Sequence, residues 1–155
     1  MAYHQLYFTQ KIPASIDLVW EFISKPENLK KITPEYMGFD ITTRNMPQKM
    51  YPGMMIGYKV SPLFGLKMDW LTEITQVSEK EFFIDEQRVG PYKIWHHQHR
   101  IEAIEKGVLM TDILTYLPPM AFLGEIANKL IIRKKLNEIF AYRNKVLIEI
   151  FGNFE

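Results

Sequence analysis

The sequence predicts an α+β domain in which a curved, seven-stranded antiparallel sheet wraps a long C-terminal helix, with two short helices after the first strand. Three observations predict it. From about Met37 to Leu117 the chain reads as six successive strands, divided by Pro52-Gly53, the 62–65 segment, Ser78-Glu79, Gly90-Pro91 and Lys106-Gly107. After Pro118-Pro119, the residues Ile126, Leu130, Leu136, Ile139, Phe140, Val146, Leu147 and Ile150 form an apolar stripe at helical spacing over roughly 125–151. A meander of strands has one face to cover, and this helix is the only element large enough to cover it.

The earlier elements follow from local signals. Residues 3–12 read as a strand that ends at Pro13. Ser15 is placed to cap the helix IDLVWEFI, whose Ile16, Val19, Trp20 and Ile23 share a face. A second short helix begins near Pro26, a residue tolerated in a first turn, and stops before Thr33-Pro34. There is no linker, repeat or low-complexity run, so one domain is expected over 1–155. In an up-and-down meander the segments 62–65, 89–92 and 118–124 lie at one end. Leu63, Phe64, Met120, Phe122 and Leu123 there would either rim a cavity or plug the end of the core.

Composition excludes several function classes. The 155 residues carry a formal charge of +1, which gives no electrostatic case for nucleic acid or an anionic membrane. With no cysteine there are no disulfides, thiol nucleophiles or thiolate metal sites, a usage compatible with a reducing cytoplasm. The N-terminal stretch lacks the pattern of a cleaved leader, and no window reaches the roughly 20 apolar residues of a membrane span. A soluble, unprocessed, cytoplasmic protein is expected. No GxSxG elbow and no phosphate-binding glycine loop are present, which disfavours nucleotide-dependent chemistry.

The segment DEQRVGPYKIWHHQHRIE, from Asp85 to Glu102, carries the functional signal. At the strand period of two, Trp95, His97, His99 and Ile101 share one face, and His96, Gln98, Arg100 and Glu102 share the more polar other. If the first face is inward, two histidines sit among apolar groups and need partners. Phe83, Asp85 and Gln87 share a face of the preceding strand, as do Met110, Asp112, Leu114 and Tyr116 of the following one. Carboxylates there could orient the imidazoles as a recognition device, an acid-base set, or a structural network that fixes sheet register. His97 and His99 also have the i, i+2 spacing of a metal pair, which Asp85 or Asp112 could complete for zinc or iron. One HxH without a third spaced ligand does not define a site, so no metal and no cofactor are expected. Trp20, Trp70 and Trp95 could stack on a ligand or serve as core. Arg133, Lys134, Lys135, Arg143 and Lys145 read as the solvated face of the last helix.

The element order, together with IPASIDLVWEFISKPENL, GMMIGYKV, WLTEIT, FIDEQRVGPYKIWHHQHRIE, GVLMTDILTYLPP and the closing IFAYR, resembles the START-like ligand-binding superfamily. Within it the likeness is to the polyketide cyclase/dehydrase-type proteins of bacteria, and it covers nearly the whole chain. The resemblance implies a helix-grip fold, shared with the birch-pollen allergen and lipid-transfer domains, with an apolar cavity between sheet and helix. It does not choose a reaction, because the superfamily includes carriers, aromatase/cyclases and hormone receptors.

Three functional readings result. In the first, a small apolar or amphipathic molecule, polyketide-like, aromatic or lipid-derived, binds against Trp70, Phe83, Asp85, Gln87, Trp95, His97, His99, Asp112, Tyr116 and Phe122. In the second, a cyclase, dehydratase or isomerase uses His97 or His99 as general base, with Asp85 and Asp112 as further catalytic candidates. In the third, the cavity is filled by the protein's own side chains and the apolar end loops bind a partner. A void below roughly 300 Å³ would favour the third.

Overall fold

The computed structural model describes residues 3–61, 65–119, 126, 127 and 131–155. Strand β1 (His4–Ile12) is followed by helices α1 (Ile16–Ile23) and α2 (Pro26–Lys31) and a 3-10 turn at Glu35–Met37. Then come β2 (Asp40–Ile41), β3 (Met54–Val60), β4 (Met68–Ser78), β5 (Phe82–Val89), β6 (Ile94–Ile104), β7 (Gly107–Leu117) and helix α3 (Arg133–Phe151). The strands form one antiparallel sheet in the order β1-β7-β6-β5-β4-β3-β2, so the meander runs outward from β7 and β1 closes against its last strand.

Local chemistry accounts for the boundaries. The Ser15 hydroxyl accepts from the Leu18 amide at the start of α1, and Pro26 opens α2 where no intrahelical donor is needed. The 3-10 turn stops at Gly38, whose φ of +53° is left-handed backbone that glycine adopts without Cβ strain. Between Ile41 and Met54 the sequence led us to expect more strand than forms. Only Asp40 and Ile41 pair, with Lys59 and Tyr58, because Pro47 and Pro52 lack amide donors and Asn45 turns to φ +54°.

Gly107 opens β7 where that strand meets the end of β1. A Cβ added there would lie 2.1 Å from the Ile12 carbonyl oxygen. Gly107→Ala should therefore destabilise the domain by about 1–3 kcal/mol, the cost of forcing atoms into filled space. Denaturant unfolding measures this, and an unchanged midpoint would show that the β1 end moves aside freely.

The inward positions build two apolar clusters. One joins Ile12, Val19, Trp20, Ile101, Val108, Met110 and Leu147, and the other joins Leu6, Leu114 and Tyr116 to Ile132, Leu136 and Phe140 of the C-terminal region. Helix α3 thus lies across the inner face of the sheet. The sequence places the helix start near 125. Residues 126 and 127 are helical and 131–132 form a π turn before α3, while 120–125 and 128–130 lie outside the described residues, and with them the expected roles of Leu123 and Leu130. The apolar stripe is also narrower than expected: Ile126 and Ile150 are exposed, and Leu136, Phe140, Arg143 and Leu147 are the buried set.

Candidate functional site

Register alone assembles the centre of the molecule. Asp85 stands opposite His97, and His99 stands between Phe83 on one side and Asp112 on the other. All four side chains face inward, so two adjacent rows of the sheet form a square of two carboxylates and two imidazoles. His97 Nε2 lies 2.8 Å from Asp112 Oδ1, and His99 Nε2 lies 2.6 Å from Asp85 Oδ2. The remaining sides are longer, 3.2 Å from His99 Nδ1 to Asp112 Oδ1 and 3.6 Å from His97 Nδ1 to Asp85 Oδ2. The imidazoles are 3.8 Å apart between ring centres, and His99 stacks on Phe83 at 4.1 Å.

A fifth charge comes from α3. Arg143 Nη1 donates to Asp112 Oδ1 at 3.1 Å, and its guanidinium lies over the Phe140 ring. The sequence reading put Arg143 on the solvated face of the helix, and this is corrected: it is 7 % exposed. The signal was present in its spacing, because 136, 140, 143 and 147 fall on one line of a 3.6-residue helix. Arg133, Lys134 and Lys145 are exposed as expected. Arg143 Nε is buried without a hydrogen-bond partner among the described residues.

These neighbours set the protonation states. Burial pushes the Asp112 carboxyl up, but the Arg143 charge and hydrogen bonds from His97 and His99 outweigh it and hold it well below the usual range. Burial likewise opposes ionisation of Asp85, and the His99 hydrogen bond and charge win, so it too is lowered. His97 is lowered, chiefly by burial and then by the charge of His99. For His99 burial is again the largest influence and acts downward, but its bonds to Asp112 and Asp85 together raise it. The two histidines are therefore inequivalent.

Beside this square, between sheet and helix, lies a cavity of about 170 Å³. Asp85, His97, His99 and Arg143 are in its wall, with Trp70, Phe83, Trp95, Tyr58, Tyr92 and Phe140 supplying much of the apolar and aromatic surface. Burial raises the phenols of Tyr58 and Tyr92, keeping both neutral. Trp70 and Trp95 meet edge to face at 5.0 Å, and Trp70 Nε1 donates to Thr72. The wall reaches the surface near Lys25, Asn28 and Lys135, between α2 and α3.

The other residues singled out from the sequence sit elsewhere. Asp112 is behind the histidines, outside the cavity wall and 3 % exposed. Gln87 is spent on the turn to β6, accepting from the Tyr92 amide and donating to its carbonyl. Tyr116 is fully buried in the cluster under Tyr92 and Trp95. Trp20 is core, edge-on to Phe83. Leu63, Phe64, Met120 and Phe122 lie outside the described residues. Tyr58, Tyr92 and Thr72 were missed, because nothing in a lone strand or turn distinguishes a cavity tyrosine or threonine from a core one.

Comparison with solved structures shows what class of fold this is. Protein TTHA0849 of Thermus thermophilus superposes with a TM-score of 0.71 at 19% identity, over 94% of this chain and 95% of that one. Protein CV1439 of Chromobacterium violaceum gives 0.71 at 12% identity, over 97% and 99%. Ginseng major latex-like protein 151 from Panax ginseng gives 0.68 at 14% identity, over 96% and 97%. The architecture is the START-like helix-grip fold. Residues 12–139 match the family model described as polyketide cyclase / dehydrase and lipid transport, and the chain belongs to that family. No curated protein matches it. Among the described residues, no helix is long and apolar enough to cross a membrane.

Proposed function

We propose that the protein binds a small amphipathic molecule in the cavity between the sheet and α3, with the His/Asp/Arg cluster orienting its polar end. The observation that carries this is an apolar, aromatic-walled cavity with a buried charged cluster in one wall. Ligand sites combine those two features. Family membership and fold point the same way. The cavity volume narrows the ligand class. At about 170 Å³ it is below the roughly 300 Å³ of ordinary ligand pockets but close to the ~150 Å³ that suffices for benzene. A multi-ring polyketide would need the cavity to widen. A single-ring aromatic or short branched chain bearing a carbonyl, carboxyl or hydroxyl oxygen suits the space as it stands. Arg143, whose side chain borders the cavity, offers such an oxygen a charged donor. A cysteine-free chain suits the reducing cytoplasm, where we place this activity.

The small volume also supports a second reading, in which the domain fills its own interior and serves as an interaction module. Native mass spectrometry of the purified protein, followed by titration with benzoate and acetophenone, separates the two. Trp70 and Trp95 in the wall supply an intrinsic fluorescence readout. The expected result is a retained small molecule or saturable quenching, weakened about 5–30-fold by His97→Gln, the worth of one or two hydrogen bonds. No retained species and no saturable response would sink the binding reading in favour of the filled module. Chemical conversion of the bound molecule by wild type, abolished in His97→Gln, would replace binding with proton-transfer catalysis.

A further inference from the structure

Counting hydrogens in the His/Asp square gives a result that the cavity alone does not. Four N···O contacts of 2.6 to 3.6 Å join the two imidazoles to Asp85 and Asp112. Two neutral imidazoles have only two N–H groups. The four contacts also converge on single oxygens: both rings turn one nitrogen to Asp112 Oδ1 and the other to Asp85 Oδ2. Asp112 is the more buried carboxylate and is fixed by Arg143. If its two contacts take the two N–H groups, His97 Nδ1 and His99 Nε2 face the Asp85 carboxylate without a proton, and the 2.6 Å contact from His99 to Asp85 is a hydrogen bond only when a third proton sits on that nitrogen. Without that third proton three acceptors face one another on the cavity side, and a metal cation can take the proton's place between them.

We infer that Asp85, His97 and His99 form a three-ligand site for a divalent metal of the zinc class, with Asp112 as the outer carboxylate that orients both imidazoles. One ligand atom from each of these three residues lies within 4.8 Å of the others. Tetrahedral zinc with ligands at about 2.0–2.1 Å sets them roughly 3.3 Å apart. The 2.6 Å contact from Asp85 to His99 would open by under about 1 Å and the 3.6 Å contact to His97 would close slightly. Asp112 already stands where outer carboxylates stand, on the far nitrogen of each ligating ring, and one residue serves both. The ligands lie in the cavity wall and Asp112 does not, so the coordination positions left open face the cavity. The HxH spacing showed two ligands in the sequence; the third comes from the neighbouring strand, through register. Metal uptake stands apart from the ligand reading, since it is tested with the metal alone.

The test uses tag-free protein stripped with chelator and titrated with Co²⁺, then with Zn²⁺. One equivalent of Co²⁺ should bind, with the visible bands of a low-coordinate site, and Zn²⁺ should displace it. His97→Gln, His99→Gln and Asp85→Asn should each weaken uptake at least 100-fold, and Asp112→Asn by about 10–100-fold through loss of orientation. His96→Gln, on the outer face where His96 meets Glu86, should change nothing. X-ray absorption of the zinc-loaded wild type, which needs no variant to fold, should show two imidazole ligands at about 2.0–2.1 Å. Absence of stoichiometric uptake, fewer than two imidazoles at the metal, or equal loss in His96→Gln would each overturn the site.

Discussion

Arg143→Met should destabilise the domain by about 3 kcal/mol, measured by urea unfolding of chelator-treated protein. The substitution keeps most of the side-chain bulk and removes the one permanent cation that, among the described residues, contacts Asp112, a carboxylate that is 3 % exposed. Removing one partner of a buried ion pair typically costs about 3–5 kcal/mol, because the remaining charge is left without compensation. The lower end applies here. His97 and His99 still face Asp112, and the variant also eliminates an Nε–H that has no partner among the described residues. Adding Asp112→Asn to Arg143→Met should recover part of the loss, since the uncompensated charge goes with it. If the single variant lies within about 1 kcal/mol of wild type, the histidines alone satisfy Asp112.

Phe140→Ala should cost about 3–5 kcal/mol, the usual range for removing a buried aromatic side chain. Phe140 joins three parts of the molecule. It stacks on Phe8 of β1 at 4.0 Å, meets His97 edge-on at 5.6 Å, and lies under the Arg143 guanidinium. Its loss would open a void where these three parts meet. Ile139→Ala is the contrasting case. Ile139 is only partly buried and borders space that already exists, so its truncation should cost nearer 2 kcal/mol. Equal unfolding midpoints for the two variants would show that the docking of α3 does not depend on the aromatic stack.

Much of this was legible from period and punctuation. The alternation from Trp95 to Ile101 identified the inward histidines, and placing Asp85 and Asp112 on the same inner face needed only the parity of β5 and β7. What a period of two cannot show is where it breaks. In β4, Ile74 opposes Asp85 and Gln76 opposes Ile84, so Thr75 is an extra residue. Strict alternation from Ile74 would point Gln76 inward and Val77 outward. The bulge restores Val77 to the core and leaves Gln76 exposed. No local residue type announces that. Arg143 is a different case: its charge suggests solvent, but its place between Phe140 and Leu147 on one line of the helix marks it as inward. Gln87 illustrates the converse, a residue on the right face of its strand whose side chain is claimed by the adjacent turn.

The pairing of β1 with β7 has a kinetic consequence. Ile12 aligns with Val108 and His4 with Tyr116, so the N-terminal strand of this domain finds its hydrogen-bonding partner only in β7. Until β7 is available, β1 has no strand to pair with, and its backbone edge is unpaired. Contacts this distant in sequence form late, after a large loop has been closed, and they slow folding relative to chains held by local contacts. The meander from β3 to β7 can assemble as it is synthesised, hairpin by hairpin. β1 cannot, and until β7 is available its unpaired edge is open to mispairing with another chain.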